Sequence, residues 1–252
     1  MNIMIGGRPA TGKTASERTI LEKYRNDGKD FSKDVGIFAV EKNRPPFRDD
    51  GKLMIIKDAT YDVIMRALKN PTLNCYVIDD SQFLMTHELF NRCHENGYGK
   101  FTDMAKHFYD LLNWINHNVP DYVNVYFMHH AEVNENGQMG LTSCGKMISE
   151  KYPIESVVNI ILQSEVNQNG FFFRTKNRGN DIARTPMGMF EDELIPNDLI
   201  LVDSIVREYY GLKPITDHPA PKQPTPPAPN QGKVTTTNTV PPTSKPAEKK
   251  PA

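Results

Sequence analysis

The chain has no apolar run approaching the ~18 residues that a membrane-crossing helix needs, so no membrane span is expected. It has only three cysteines, at 75, 93 and 144. Their number is odd and their spacing fits no zinc ribbon, which excludes a disulfide framework and points to a reducing cytoplasm. Cys93-His94 has no second pair at metal-like spacing and reads as an ordinary half-buried thiol. No leader pattern precedes the first apolar residues, Ile3-Met4-Ile5, so no signal peptide is expected. Strong charge of either sign is also missing: the formal net charge is −1. Residues 213–252 hold six lysines and two acids, a balance of +4, so residues 1–212 carry −5. An acidic core excludes a surface that coats DNA strongly, and is compatible with a local basic channel.

From Pro214 onward proline, threonine and lysine dominate and apolar periodicity ends. Such a segment buries too little apolar surface to offset its ordering entropy. The expected organisation is therefore one domain over 1–212 and a disordered Pro/Thr/Lys-rich tail over 213–252. Within the domain, strand-like and helical runs alternate, which predicts an α/β fold with a mostly parallel sheet. Strands are expected at the N-terminus, at 35–40, 52–56, 75–78 and 123–128, and helices over 14–23, 60–69, 101–117 and 197–210. Late strands near 157–165 and 171–176 flank Asn167-Gln168-Asn169-Gly170, a hairpin-turn sequence.

What is present is a phosphate-binding signature. Gly7-Arg8-Pro9-Ala10-Thr11-Gly12-Lys13-Thr14, followed by Ala15, matches G-x-x-x-x-G-K-[ST] between an apolar run and a helix-compatible stretch. Glycines let backbone N–H groups turn onto a polyphosphate. Lys13 has the reach for β/γ-phosphates, and a Thr14 hydroxyl suits Mg²⁺. A nucleoside triphosphate, ATP with Mg²⁺, is the expected ligand of Gly7–Ala15.

Asp79 closes an apolar strand, as a Walker B carboxylate must in order to hold Mg²⁺ with Thr14. Hydrolysis needs a carboxylate to polarise water. Asp80 follows Asp79 directly, and Glu41 follows the Phe38-Ala39-Val40 strand, so both are candidates. His129 and His130 end the strand 123–128 and read either as γ-phosphate sensors or as satisfied strand-end residues. Phe173-Arg174-Thr175-Lys176-Asn177-Arg178-Gly179 alternates apolar and cationic residues. On spacing alone it reads as an edge strand kept soluble by charge.

Taken in order, the P-loop, Glu41, Asp79, the polar strand end and Lys176-Asn177-Arg178 resemble a RecA-like ATPase core. Within that superfamily they are most similar to the compact RecA-like ATPases of phage recombination modules, sometimes called the Sak-four type. Lys176-Asn177-Arg178-Gly179-Asn180-Asp181 and the following Thr185–Glu191 stretch carry most of the likeness, which covers about residues 1–211. The resemblance implies several roles. Glu41 activates water. Lys176 and Arg178 reach a neighbouring protomer's nucleotide in a homo-oligomer. Parts of 81–100 and 132–148 face single-stranded DNA. Lys100 and Lys146 supply charge there, and Phe83, Tyr98 and Phe101 offer stacking faces. The chain departs from full-length RecA in lacking an N-terminal polymerisation module and a folded C-terminal DNA-binding domain. The implied activity is ATP-dependent binding of single-stranded DNA with help in annealing or exchange, and the tail is a possible tether for a single-strand-binding protein. Three alternatives remain at this level: a small-molecule or nucleotide kinase, a phage packaging or assembly ATPase, and a nucleotide-switched scaffold. A kinase lid would draw on Arg174, Arg178 and Arg184.

Overall fold

Apolar residues run unbroken through the early strands because both faces of each are covered. The computed structural model describes residues 1–144 and 153–216. Its central sheet contains β1 (Asn2–Gly7), β2 (Val35–Ala39), β3 (Met54–Lys57), β4 (Cys75–Asp79) and β5 (Asn124–Val133). It is completed by β6 (Met139–Leu141), β7 (Ile160–Asn167), β8 (Gly170–Arg174) and β9 (Leu194–Pro196). The spatial order is β3-β2-β4-β5-β1-β7-β8-β9, with β6 paired to β5. From β3 through β7 all pairings are parallel, and β6, β8 and β9 are antiparallel additions.

Side chains alternate between two cores, as the pleat requires. Met4, Phe38 and Ile78 point to one face, under helices α1 (Tyr61–Lys69), α2 (Phe83–Asn91) and α3 (Gly99–Asn118). Ile3, Ile5, Ile37 and Val77 point to the other, under the 14–24 segment and α4 (Leu199–Tyr209). α3 buries Met104, Phe108, Leu111, Leu112 and Ile115 at helical spacing. Thr60 caps α1 by accepting from Val63 N, and Asp198 caps α4 by accepting from Leu201 N at 3.0 Å. No helix of the described residues is long and apolar enough to cross a membrane.

The fold departs from the sequence reading at five places. The 14–23 segment forms 3₁₀ turns, Thr14–Ile20 and Glu22–Tyr24, instead of an α-helix. Ser16 Oγ donates to Lys13 O and Thr19 Oγ1 to Ser16 O, and such local bonds compete with the α-helical ladder. Helix α2 occupies part of what reads as a polar connection. β5 continues through His129 and His130 to Val133 and turns back through β6, so part of 132–148 is a hairpin. β9 is an added edge strand. Ile215, on the tail side of the expected boundary, is 6% exposed and joins the second core, and its carbonyl accepts from Asn74 Nδ2. The remainder of the expected tail, from 217, and residues 145–152 lie outside the described residues.

Candidate functional site

Parallel strands deliver their carboxyl ends to one edge of the sheet. β1 delivers Gly7, and β4 delivers Asp79 followed by Asp80. β5 lies between them, with His129 opposite Gly6 and His130 opposite Gly7. The loop after β1, the carboxylates after β4 and the histidines of β5 are neighbours for this reason, although distant in sequence.

The Gly7–Thr14 loop closes on itself. Lys13 is 5% exposed, and its Nζ donates to Gly7 O and Arg8 O, each at 2.9 Å. Thr11 Oγ1 bonds Arg8 O at 2.7 Å and lies 2.6 Å from Ser164 Oγ on β7. Gly12 has φ +98°, and a Cβ there would meet the Phe171 side chain at 2.8 Å. Asn197 Nδ2 donates to Gly12 O, which ties the loop to the turn before α4.

Thr14 Oγ1 donates to Asp79 Oδ1 at 2.9 Å. Burial, then the neighbouring Asp80 charge, raise the Asp79 pKa to about 7, with the Thr14 bond acting against them. Burial lowers the Lys13 ammonium to about 8, with Asp80 and Asp79 opposing. Asp80 has a left-handed φ of +57°, uncommon for a side-chain-bearing residue, and its Oδ1 lies 3.8 Å from His130 Nε2. The two histidines differ. His129 is wholly buried and held near pKa 4 by that burial; its Nε2 meets Thr142 O at 2.8 Å and its Nδ1 meets Ser81 Oγ at 2.8 Å. His130 faces the site.

Part of this set lines one cavity of about 420 Å³. Loop residues Pro9, Ala10 and Gly12–Ala15, with Asp79, Asp80 and His130, form one side. Ile37, Ala39 and Ile55 form an apolar wall, and Asn43–Pro46 stand at its margin. Besides this apolar wall and the rest of the 43–46 margin, Glu17, Arg44 and Phe171 line the cavity without having been singled out from the sequence. Glu17 is 2% exposed and its Oε1 has no hydrogen-bond partner among the described residues. Burial, then the Asp79 and Asp80 charges, push its pKa well up. Its one available signal was its i+4 spacing from Lys13. Arg44 was signalled by its place before Pro45-Pro46, and Phe171 by its place just after the hairpin turn.

Other expected site residues lie elsewhere. Glu41 Oε1 is 2.6 Å from His87 Nε2 of α2 and is not among the lining residues. Lys176 Nζ donates to Glu191 O at 2.6 Å, and Arg178 pairs with Glu193 through Nη2 at 2.8 Å. Both are exposed and outside the cavity. Of the expected DNA-facing residues, Tyr98 is 88% exposed. Phe83 packs against His87 and His130, and Phe101 against Tyr98. Lys100 Nζ donates to Glu95 O at 2.8 Å, and Lys146 lies outside the described residues. Comparison with protein-family models gives no match, and comparison with curated proteins gives none.

Proposed function

We propose that the Gly7–Ala15 loop binds a nucleoside triphosphate with Mg²⁺ and that the protein hydrolyses it as a RecA-like ATPase acting on single-stranded DNA. The observation that carries this reading is the convergence of Lys13, Thr14, Asp79, Asp80 and His130 on one cavity at a single sheet edge. The donor set fits the metal. A threonine hydroxyl and a carboxylate stand 2.9 Å apart, and both are hard oxygen ligands of the kind Mg²⁺ prefers. Thr14 and Asp79 would hold it, and when bound it neutralises phosphate charge.

The protein's own groups do the rest. Lys13 exchanges its two carbonyl partners for phosphate oxygens. Asp80 is the candidate base that the cavity presents to an attacking water, while Glu41 is engaged by His87. His130 faces the phosphate end. His129, adjacent on the strand, bonds Thr142 beyond β6 and so couples the site to that hairpin. For the DNA role, Phe90 and Tyr98, 69% and 88% exposed, offer stacking faces at the two ends of the α2–α3 connection. The kinase alternative is weakened by its lid arginines: Arg174 and Arg178 pair with Glu193, and Arg184 donates to Glu155 O.

The test is ATP turnover with single-stranded DNA, duplex DNA or none, alongside Lys13→Ala. Single-stranded DNA should raise the rate, and Lys13→Ala should abolish it with the fold intact. Stimulation by a small acceptor and not by DNA would favour the kinase, and tight ATP binding without turnover a scaffold. Wild-type turnover by folded Lys13→Ala protein would overturn the site assignment.

A further inference from the structure

Among the described residues lining the cavity, Lys13 and Arg44 are the lysine and arginine side chains. Lys13 is buried at the loop and held by two carbonyls. Arg44 is exposed, and among the described residues no carboxylate, carbonyl or ring engages its guanidinium. Arg25, Arg48, Arg92, Arg174, Arg178 and Arg207 each pair with a carboxylate, whereas the Arg8 and Arg66 side chains share Arg44's lack of a partner among the described residues but do not line the cavity. An arginine beside a cavity holding Asp79 and Asp80, yet paired with neither, is free to take another anion.

Its position and stiffness suit that use. In the sheet the order is β2-β4-β5-β1. The phosphate loop follows β1, the carboxylates follow β4, and the Arg44 segment follows β2. Arg44 therefore stands across the carboxylates from the loop, on the margin of the cavity that both line. Pro45 and Pro46 fix φ near −65° and restrict the residue before each of them to extended backbone. Little backbone freedom remains to be lost when Arg44 engages a ligand. The guanidinium fork matches two phosphate oxygens at once, which a lysine cannot do.

We propose that Arg44 binds the terminal phosphate of the nucleotide held in the same chain, and neutralises the charge that develops on it during hydrolysis. This inference rests on the nucleotide reading above. It makes Arg44 a cis counterpart to the trans cations implied at Lys176 and Arg178, and locates ATP-versus-ADP discrimination at the Pro45-Pro46 segment.

The experiment compares wild type, Arg44→Ala and Arg44→Lys for turnover and for binding of ribose-labelled fluorescent ATP, ADP and AMP. Thermal melts verify that the exposed substitution leaves the fold intact. Arg44→Ala should lower kcat on the order of 10³-fold, the scale of a lost arginine finger. It should weaken ATP while leaving ADP and AMP unchanged, and Arg44→Lys should recover part of the loss. Equal weakening of ATP, ADP and AMP would put Arg44 on the base or ribose and overturn the proposal, as would wild-type turnover. Recovery of activity on mixing Arg44→Ala with Lys13→Ala protein would move Arg44 to a neighbour's site and overturn the cis assignment. If wild type itself retains no nucleotide, the nucleotide reading fails first; if it retains ATP and Arg44→Ala behaves as wild type, only the Arg44 proposal fails.

Discussion

At the residue scale, the two candidate bases have different surroundings. Asp80 lines the cavity in a left-handed backbone conformation, whereas the Glu41 carboxylate lies 2.6 Å from His87 Nε2. Asp80→Asn should lower turnover by about 10²–10⁴-fold, the usual effect of losing a general base, with ATP still bound. Glu41→Gln should cost much less. A dead Glu41→Gln enzyme beside an active Asp80→Asn one, measured in a steady-state ATPase assay, would reverse the assignment. On the proposed reading the same cavity sets a pH dependence. Metal binding would need Asp79 ionised, and its pKa is raised to about 7; phosphate binding would need Lys13 protonated, and its pKa is lowered to about 8. Since kcat/KM reports the free enzyme's groups, it should rise through about pH 7 and fall above about 8. A profile flat from about pH 6 to 9 would show that neither group governs the step. Asp79 acts on stability in the opposite sense. Its folded pKa is raised, so its contribution is fully present below the unfolded value of 3.8 and is lost as pH rises through about 7.

At the element scale, α4 is docked by a buried polar cluster. Arg207 Nε donates to Asp203 Oδ2 at 2.6 Å, and its Nη groups donate to Asn74 O, Tyr122 O and Lys213 O. Asn124 and Tyr126 of β5 bond the other Asp203 oxygen. Removing one partner strands a buried charge, so Arg207→Ala should destabilise by roughly 3–5 kcal/mol in urea unfolding. A change under about 1 kcal/mol would mean that water replaces the lost donors. Elements of this kind were legible in the sequence where one physical rule dominated. The α3 stripe, the apolar β2 and β4 runs and the Asn-Gly hairpin each follow from a single periodicity or turn preference. The 14–24 segment was misread because Ser16 and Thr19 hydroxyls redirect the backbone, which composition does not reveal. α2 was missed because its apolar face is short, with Leu84 and Met85 as its buried residues. In the site, the Gly7–Thr14 loop and Asp79 were legible because motif and strand end coincide. Glu17, Arg44 and Phe171 depend on tertiary approach and leave little local trace.

At the scale of the whole molecule, Lys176 and Arg178 bear on how many chains make a site. Both are exposed, anchored to Glu191 and Glu193, and outside the cavity of their own chain. If they act on a neighbour, the Lys176→Ala/Arg178→Ala double variant should bind ATP, turn it over poorly, and regain activity when mixed with Lys13→Ala protein. Some interfaces in the mixture then pair an intact loop with intact cations. No recovery at any mixing ratio, or a strictly monomeric particle by light scattering with ATP and single-stranded DNA, would exclude the shared site.

The sheet order also governs when the site comes into existence. β1 lies between β5 and β7, pairing Asn2 with Val125 and Ile3 with Ile160. Both neighbours are made more than a hundred residues after it. At a synthesis rate of ~5–20 residues per second, β1 waits on the order of 10 s, apolar and not yet paired on both edges, before its second flank emerges. The Gly7–Thr14 loop hangs from that strand and leans on Ser164 of β7 through Thr11. On the nucleotide reading proposed above, a ribosome-bound chain would complete the loop's support only after β7 has been translated, late in the synthesis of the domain.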